Sequence, residues 1–474
     1  MFRGRVRKVH FVGVGGIGMS GLAEILRSMS FDVSGSDLKG GETTARLKRL
    51  GVQIHVGHES SHVQGADVVV YSSAIARDNP EMLAAEAAGI PLIQRGEMLA
   101  ELMRMKYAVV IAGSHGKTTT TSLVATVLRA AGLDPTVVVG GRMASLGSNA
   151  RLGAGDLLVA EADESDGSFL RLSPTIAAIT NVDPEHLDFY GTHDALKQAF
   201  VQFADSVPFY GLAVLCLDHP HVRDLLPKIN RRYVTYGESR QADYVADALV
   251  YRGLETSFQV HHKGRSLGEF VVRMPGQHNV LNCLAVIAIS DELAVPLDVV
   301  KEALATFRGV ARRFTVVAEP CGIALVDDYG HHPAEIRATL DAARHAYRQR
   351  VLVAFQPHRY TRTQALFQEF AQAFDQADSV FVSDIYAAGE PALPGVNSEA
   401  LTREITQHGH RSAHYSPDRE ELCERLAAQA RPGDVVIALG AGDINRTLAR
   451  IEELILARGN RDPSDRAPSG GGAA

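Results

Sequence analysis

The chain is 474 residues long, too long for one hydrophobic core of ordinary size, so we expect about three domains. Hydrophobic residues make up 46% of the sequence and charged residues 22%, which excludes a disordered or a fibrous protein. The net charge of −7 argues against nucleic acid as a partner, because a negatively charged protein repels a polyanion. A phosphorylated ligand is therefore expected to be small, and to be held by local cations and backbone N–H groups.

No export signal and no membrane span are predicted. The apolar stretch after the basic first residues is broken by four glycines between Gly13 and Gly18, whereas a signal peptide needs an unbroken apolar region. No window reaches about 18 consecutive apolar residues, the length that suggests a membrane-spanning helix. The four cysteines have no C-x-x-C spacing and are typical of free thiols in a reducing compartment. We expect a soluble, cytoplasmic protein without a membrane partner.

Short apolar strands alternate with helices along the chain, a rhythm that predicts α/β domains. The predicted strands cover residues 9–12, 31–34, 67–72, 91–93, 108–112, 156–160, 176–180, 323–326, 350–355, 379–382 and 435–438. The predicted helices cover residues 18–30, 121–131, 334–348, 363–373 and 398–407. The tail at residues 460–474 is rich in small and polar residues and is expected to be disordered.

The first strand runs into a G-x-G-x-x-G turn at residues 13–18, and the next strand is followed closely by Asp37. Glycines at this spacing let the backbone approach a pyrophosphate, whose charge lies at a helix N-terminus, while an acidic side chain accepts a hydrogen bond from a ribose hydroxyl. The motif does not distinguish NAD from a UDP-sugar, since both contain a pyrophosphate. A tight strand-to-helix turn without any ligand is the alternative interpretation.

A second glycine-containing loop follows the strand at residues 108–112 and covers residues 113–120, Gly-Ser-His-Gly-Lys-Thr-Thr-Thr. It resembles a P-loop, although Ile111 stands where the general pattern has its first glycine. Successive backbone N–H groups of such a loop cradle phosphates, Lys117 reaches the β- and γ-phosphates, and the Thr118 hydroxyl binds Mg²⁺. The alternative is a lysine and threonines on a solvated surface.

Acidic residues follow two further strands of the second segment. Residues 161–166 contain four carboxylates, and residues 181–188 read Asn-Val-Asp-Pro-Glu-His-Leu-Asp. The carboxyl ends of parallel strands are where ligands of open α/β sheets bind, and an oxygen-rich site beside a phosphate favours Mg²⁺ over zinc. Taken alone, His186 is more typical of an ordinary loop histidine than of a ligand.

Several motifs together resemble the family of Mur ligases. They occur at residues 113–120, 161–166, 181–188, 276–282, 327–333 and 355–362. The resemblance covers nearly everything from Lys8 to Ile455, and Ser114 is a small departure where the family usually has threonine. It implies three domains: a Rossmann-like UDP-sugar-binding domain at 1–106, a P-loop-type ATPase domain at 107–312, and a Rossmann-like domain at 313–459 that binds the amino acid and closes over ATP.

The resemblance also implies an activity. ATP and Mg²⁺ would drive the ligation of an amino acid, L-alanine being expected, to the lactyl carboxylate of UDP-N-acetylmuramate through an acyl phosphate, with release of ADP and phosphate. This step belongs to cytoplasmic peptidoglycan synthesis, and hence to cell shape and cell division. A monomer or a weak homodimer is expected.

Site residues are carried over motif by motif, as the resemblance implies. The UDP-sugar ligands are Gly15, Gly16, Ile17, Gly18, Asp37 and Ser73. The ATP ligands are Gly113, Ser114, His115, Gly116, Lys117, Thr118, Thr119, Asn279, Asn282, Arg313 and Asp328. The metal ligands are Thr118, Glu161 and His186, and the amino-acid ligands are His358, Arg359 and Arg362. The catalytic residues are Lys117, Glu161, His186, Arg313 and Asp328. An H-N-x-x-N helix start is also ordinary capping chemistry.

Three alternatives stay open at this point. A sibling enzyme that recycles a whole tripeptide onto UDP-N-acetylmuramate would share the first two domains. An NAD-dependent dehydrogenase would explain the first glycine loop but leaves the second without a task. A nucleotide sensor or scaffold would keep both loops without needing Glu161, His186 and Arg359 together. The base that deprotonates the amine is not fixed; His358 and the pair His331 and His332 are the candidates.

Overall fold

The computed structural model describes residues 6–72, 74–139 and 150–459. Its strands form three sheets of five, ten and six strands, each largely parallel. Contacts between Cα atoms divide the chain into two compact units. The described residues of Met1–Leu249, Ser257–Arg273 and Asn279–Ala311 form the first, and those of Val250–Thr256, Met274–His278 and Arg312–Ala474 form the second. Among the described residues, no helix has the length and apolar character that a membrane crossing needs.

The first sheet has the order β3-β2-β1-β4-β5 and is parallel throughout. Its strands are β1 (Lys8–Val12), β2 (Asp32–Asp37), β3 (Gln53–Val56), β4 (Val68–Tyr71) and β5 (Leu92–Gln94). Its helices are α1 (Ile17–Ser28), α2 (Glu42–Arg49), α3 (Pro80–Ala87) and α4 (Arg95–Met103), with a 3₁₀ turn at Ser60–Val63. Val9 and Phe11 of β1 are buried with Leu22 and Leu26 of α1 in one core. The α/β fold predicted from the alternation of strands and helices is confirmed.

The second sheet has the order β15-β14-β13-β12-β11-β10-β6-β9-β7-β8. Its strands are β6 (Tyr107–Ala112), β7 (Thr136–Val138), β8 (Ala150–Arg151), β9 (Leu157–Glu161), β10 (Ile176–Ile179), β11 (Leu212–Cys216), β12 (Tyr233–Gly237), β13 (Tyr244–Arg252), β14 (Glu255–His262) and β15 (Arg265–Val272). Its helices are α5 (Lys117–Ala130), α6 (Leu187–Tyr190), α7 (His193–Asp205), α8 (Pro220–Arg223), α9 (Gln277–Glu292) and α10 (Leu297–Thr306). Strands β9, β6 and β10 are adjacent and parallel, so their carboxyl ends meet at one edge of the sheet.

The third sheet has the order β16-β17-β21-β18-β19-β20, and only β16 pairs antiparallel. Its strands are β16 (Thr315–Ala318), β17 (Ala324–Asp328), β18 (Val351–Phe355), β19 (Ser379–Val382), β20 (Ala413–Tyr415) and β21 (Val435–Leu439). Its helices are α11 (Pro333–Ala346), α12 (Tyr360–Ala365), α13 (Phe367–Ala371), α14 (Ser398–Gln407), α15 (Arg419–Gln429) and α16 (Thr447–Gly459).

One predicted helix of this unit is wrong in its extent. Residues 363–373 were expected to form a single helix, whereas the structure has α12 and α13 with a break at Leu366, which leaves helical geometry at φ −114° and ψ 26°. The break turns the chain so that Phe370 is fully buried in the core of the third sheet.

Candidate active site

The glycine turn after β1 is held in place by hydrogen bonds to the end of β2. Gly13 has a left-handed backbone, with φ +82°, and the N–H groups of Gly13 and Val14 both donate to the carbonyl oxygen of Ser36 at 2.9 Å. The N–H of Gly15 donates to Asp37 Oδ2 at 2.8 Å. A Cβ atom on Gly15 would lie 2.7 Å from that same oxygen, so any other residue would displace the Asp37 carboxylate. The turn therefore delivers the N-terminus of α1 to the carboxyl edge of the first sheet.

The Arg95 guanidinium, which was not predicted from the sequence, lies beside this turn. Arg95 is the first residue of α4, and a Cβ atom on Gly18 would lie 2.9 Å from its Cδ. Its NH2 group is 3.2 Å from Asp163 Oδ2, beyond β9. The available signal was a single basic residue directly after β5. Of the predicted UDP-sugar ligands, Gly15, Gly16, Ile17, Gly18 and Asp37 belong to this turn or its support, and Ser73 lies outside the described residues.

The phosphate loop begins directly after β6 and ends at α5. Gly113 has φ +131° and Gly116 has φ +80°, so both glycines occupy backbone regions that disfavour other residues. The side chain of Asn181 ties the loop down, because its Oδ1 accepts from His115 N at 2.7 Å and its Nδ2 donates to His115 O at 3.1 Å. The Thr180 hydroxyl also donates to His115 O, at 2.6 Å. The end of β10 thus holds the loop in shape.

Lys117, the first residue of α5, is held beside a buried carboxylate. Its Nζ donates to Glu164 Oε1 at 2.9 Å and to Ser114 O at 3.0 Å, and it also contacts Gly113 O. Burial disfavours the charged lysine, but the Glu164 carboxylate outweighs burial and raises the pKa of Lys117. The lysine is therefore a fixed positive charge at the mouth of the loop. In the sequence, Glu164 lies in the acidic run at residues 161–166, but only Glu161 of that run was predicted as a ligand.

Three ligand-type side chains converge at the carboxyl edge of the sheet. Glu164, Glu185 and His186 each offer one atom, and these atoms all lie within 4.8 Å of one another. Glu164 Oε2 is buried and accepts no hydrogen bond from the described residues, which suits a cation. Of the predicted metal ligands, His186 belongs to this group. Thr118 lies one residue into α5 and Glu161 is the last residue of β9, so both stand at the same edge without belonging to the group.

Asn279 and Asn282 of α9 pack against the loop and its helix. Asn282 Oδ1 accepts from the Thr120 hydroxyl at 3.1 Å, and a Cβ atom on Gly116 would lie 2.7 Å from it. Asn282 Nδ2 donates to Asn279 Oδ1 at 3.3 Å, and both asparagines are buried. Asn282 contacts the phosphate loop and α5, and Asn279 contacts Asn282. Both asparagines therefore have a structural role.

In the second unit, Asp328 ends β17 and organises the chain around it. Its carboxylate accepts from Phe314 N and Gly330 N, both at 2.8 Å, and from the Thr339 hydroxyl at 3.1 Å. Burial raises the pKa of Asp328, and the charge of Arg313 opposes that rise. Arg313 lies 3.5 Å from Glu335 and over the ring of Tyr329, 5.4 Å from its centre.

The predicted amino-acid ligands lie at the start of α12. Arg362 NH1 is 3.3 Å from His358 Nδ1, and the ring of His358 lies 5.9 Å from that of His331. Arg359 turns instead toward Glu390, at 3.8 Å. Burial lowers the pKa of both His331 and His358 to about 4, so both imidazoles are neutral near pH 7. The structure therefore joins His358 and Arg362 with His331, and leaves Arg359 half-exposed beside them.

The fold and the two loops agree with comparisons between this chain and known families. The Mur ligase family catalytic domain matches residues 8–107, the Mur ligase middle domain residues 111–290, and the Mur ligase glutamate ligase domain residues 312–442. The chain belongs to the Mur ligase family. The UDP-N-acetylmuramate–L-alanine ligase of Sorangium cellulosum is 68% identical over 461 residues, which are 97% of this chain and 98% of that protein. The ligase of the same name from Myxococcus xanthus is 55% identical over 448 residues, 94% of this chain and 95% of that protein.

Solved structures agree with this assignment. The UDP-N-acetylmuramate-alanine ligase of Thermotoga maritima superposes with a TM-score of 0.80 at 33% identity, covering 95% of this chain and 99% of that one. A murein peptide ligase from Psychrobacter arcticus has a TM-score of 0.68 at 23% identity, covering 95% of this chain and 99% of that one, a likeness of fold alone. The expected three-domain α/β architecture and membership of an ATP-dependent ligase family are confirmed. The dehydrogenase alternative has no support in either comparison.

Proposed function

We propose that the chain ligates L-alanine to the lactyl carboxylate of UDP-N-acetylmuramate, with ATP converted to ADP and phosphate through an acyl phosphate. The observation that carries the proposal is the 68% identity to a ligase of that name along 97% of the chain. The tripeptide-recycling alternative is weaker, because the solved murein peptide ligases share 23% and 29% identity with this chain, against 33% for the solved alanine ligase. We assign the UDP-sugar to residues 1–106, ATP to 107–312 and alanine to 313–459, in a cytoplasmic monomer or weak homodimer without nucleic acid or membrane partners.

Charge repulsion is the main obstacle to the first chemical step. A carboxylate 4 Å from a single phosphate charge is opposed by about 4 kcal/mol at an effective dielectric constant of 20. Lys117 supplies a positive charge where the loop would hold the β- and γ-phosphates, and the N–H groups of the loop add fixed dipoles. Lys117 alone does not balance a γ-phosphate that carries more than one negative charge.

Mg²⁺ fits the remaining requirement. We propose Glu164, Glu185 and His186 as its protein environment, with Thr118 and Glu161 close by at the same edge, because carboxylate oxygens suit a hard cation. A bound Mg²⁺ would neutralise phosphate charge and orient the phosphoryl group. The protein's own contribution is to hold these carboxylates together, with Lys117 fixing the position of Glu164.

Replacing His186 with alanine is expected to raise the Mg²⁺ concentration needed for half-maximal turnover about tenfold or more, since one ligand of the group is lost. The assay is ADP release against Mg²⁺ concentration at saturating substrates. His221→Ala is the matched control, because His221 is a half-exposed histidine of the same sheet domain that lies outside the group. An unchanged Mg²⁺ requirement in His186→Ala would remove this residue from the metal site.

The UDP-sugar would lie at the first glycine turn. We propose that the N-terminus of α1 and the Arg95 guanidinium receive the pyrophosphate, and that Asp37 lies beside the ribose. Alanine would bind in the second unit, where Arg362 and Arg359 offer cations to its carboxylate. His331 and His358 are neutral near pH 7, but a pKa of about 4 makes each a weak base for the proton that the amine loses.

The proposal predicts that ADP appears only when ATP, Mg²⁺, UDP-N-acetylmuramate and an amino-acid acceptor are all present. Among single amino acids and the tripeptide of the recycling enzyme, L-alanine is expected to give the highest kcat/KM. ADP release is measured across this panel with a coupled assay. A blank without coupling enzymes shows whether the protein itself oxidises NADH. Preferential use of the tripeptide would replace alanine ligation by the recycling reaction.

A further inference from the structure

A buried carboxylate with histidines on several sides lies in the first sheet domain, outside the two glycine-containing loops. Glu81, the second residue of α3, has a fully buried side chain. Ser36 Oγ donates to its Oε2 at 2.5 Å, and His58 Nδ1 lies 2.9 Å from the same oxygen. His62 Nδ1 lies 2.6 Å from Oε1, and His10 Nε2 is 3.6 Å from it. Four polar side chains thus converge on one acid.

The sheet explains why a polar cluster stands at this place. His10 of β1 pairs in register with Ser34 of β2, and the two are joined by a 2.8 Å hydrogen bond. On the same face of the sheet, a small core that contains Val12, Val63, Val69 and Ala85 lies beside this polar pair. The connection between β3 and β4 contains the one-turn 3₁₀ segment Ser60–Val63, whose Val63 joins this small core while His62 contacts the Glu81 carboxylate. Glu81 and the histidines thus lie next to the apolar part of this face.

Ser36 connects this cluster to the glycine turn. Its hydroxyl donates to the buried carboxylate, while its own carbonyl oxygen accepts the N–H groups of Gly13 and Val14. The next residue, Asp37, accepts the N–H of Gly15. Two consecutive residues of β2 therefore hold three consecutive N–H groups of the turn, and one of the two is anchored by Glu81.

The acid is suited to act as an anchor because it stays ionised. Burial alone would raise its pKa, but the nearby His10 imidazole and hydrogen bonds from Ser36, His62 and His58 outweigh burial and lower the pKa of Glu81 to about 2. A charged acceptor makes stronger hydrogen bonds than a neutral one. Ser36 is consequently held more firmly than a neutral partner would hold it.

We propose that Glu81 is a positioning residue for the UDP-sugar, acting through Ser36 on the glycine turn at residues 13–15. The proposal rests on the proposed function, since it assigns the pyrophosphate to that turn. Glu81 does not touch the ligand in this account. It fixes the position and direction of the turn backbone that leads into α1.

Glu81→Gln, which keeps the size of the side chain and removes its charge, is expected to raise the Kd for UDP-N-acetylmuramate and its KM about tenfold. The KM for ATP and kcat are expected to change less than about twofold, because the phosphate loop after β6 has no contact with this cluster among the described residues. Calorimetric titration with UDP-N-acetylmuramate and steady-state kinetics give both quantities. A purely structural role would move both KM values together.

A double-mutant cycle tests the path through Ser36. Ser36→Ala is expected to weaken UDP-N-acetylmuramate binding to a similar extent, and Glu81→Gln in the Ser36→Ala background is expected to add little. Additive effects of the two changes would overturn the proposal. Val33→Ala, which loosens the same strand from the apolar face, is the stability control and should leave Kd nearly unchanged. If Glu81→Gln does not fold, undiminished binding by Ser36→Ala overturns the proposal equally.

Failure of the proposed function would look different. If the parent protein turns over alanine but Asp37→Asn binds UDP-N-acetylmuramate as tightly as the parent, the ligand does not use this turn and its placement is wrong. If Asp37→Asn weakens binding while Glu81→Gln and Ser36→Ala do not, the placement stands and the positioning role of Glu81 is refuted.

Discussion

Lys117→Met is expected to lower kcat of the ligation about a thousandfold, because it removes the one lysine charge held at the phosphate loop. The interaction energy of a single charge pair at 4 Å is about 4 kcal/mol at an effective dielectric constant of 20. Because about 1.36 kcal/mol of activation free energy corresponds to a factor of ten in rate, this loss predicts a thousandfold effect. The measurement is ADP release at saturating ATP, UDP-N-acetylmuramate and L-alanine. A variant that kept a tenth of the parent rate would contradict the assigned role.

The same change also affects folding, and this has to be separated from catalysis. Lys117 pairs with Glu164, whose side chain is buried, and removing one partner of such a pair costs about 3–5 kcal/mol of the free energy of unfolding. The double variant Lys117→Met/Glu164→Gln leaves no buried charge at this point. It is expected to recover most of the lost stability in urea unfolding, which would identify the unpaired Glu164 carboxylate as the cause of that loss. Its kcat is expected to stay low, because Glu164 also belongs to the proposed metal group.

Gly113→Ala is expected to be the most damaging single-methyl change in the phosphate loop. The new Cβ would collide with Thr180 Oγ1 and lie 3.0 Å from the carbonyl oxygen of Asn181, and the backbone at φ +131° is strained for any other residue. Strain of about 1–2 kcal/mol and overpacking of about 1–3 kcal/mol together predict a loss of several kcal/mol of unfolding free energy. ATP binding is expected to be lost with the loop conformation.

Gly132→Ala is the matched control for that experiment. Gly132 also has a left-handed backbone, at φ +74°, but a Cβ atom there would meet no neighbour within 4 Å. It therefore carries the strain of about 1–2 kcal/mol without the collision. Urea unfolding and ATP titration of both variants give the comparison. Equal destabilisation of the two proteins would mean that the contacts of Gly113 with the end of β10 are unimportant.

The sequence predicted the architecture well because the signals for its strands, helices and glycine turns lie in short segments of the chain. The periodicity of apolar residues located β19 and α14 to the residue, and a glycine turn after a strand marked both nucleotide-type loops. Strands β13, β14 and β15 were not predicted, since most of their side chains are exposed or only partly buried. The site residues carried over from the family remain predictions that only binding and kinetic measurements test.

Side-chain partnerships across long separations could not be predicted. Residues 161–166 contain four carboxylates, and nothing in their order tells which one faces Lys117, because the answer depends on the turn of the chain after β9. Arg95 and Asp163 are 68 residues apart, and Ser36 and Glu81 are 45 apart. Such pairs are set by the packing of whole elements, which a single sequence does not specify.

The way in which β2 supports the glycine turn has a consequence for how variants there should behave. The N–H groups of Gly13, Val14 and Gly15 point inward to Ser36 and Asp37, whereas the first N–H groups of α1 have no partner within the helix. The turn is thus split into an inner half that keeps the backbone in place and an outer half that we propose faces the anion. Damage to the inner half should lower affinity together with the free energy of unfolding, and damage to the outer half should lower affinity in a protein that still unfolds like the parent.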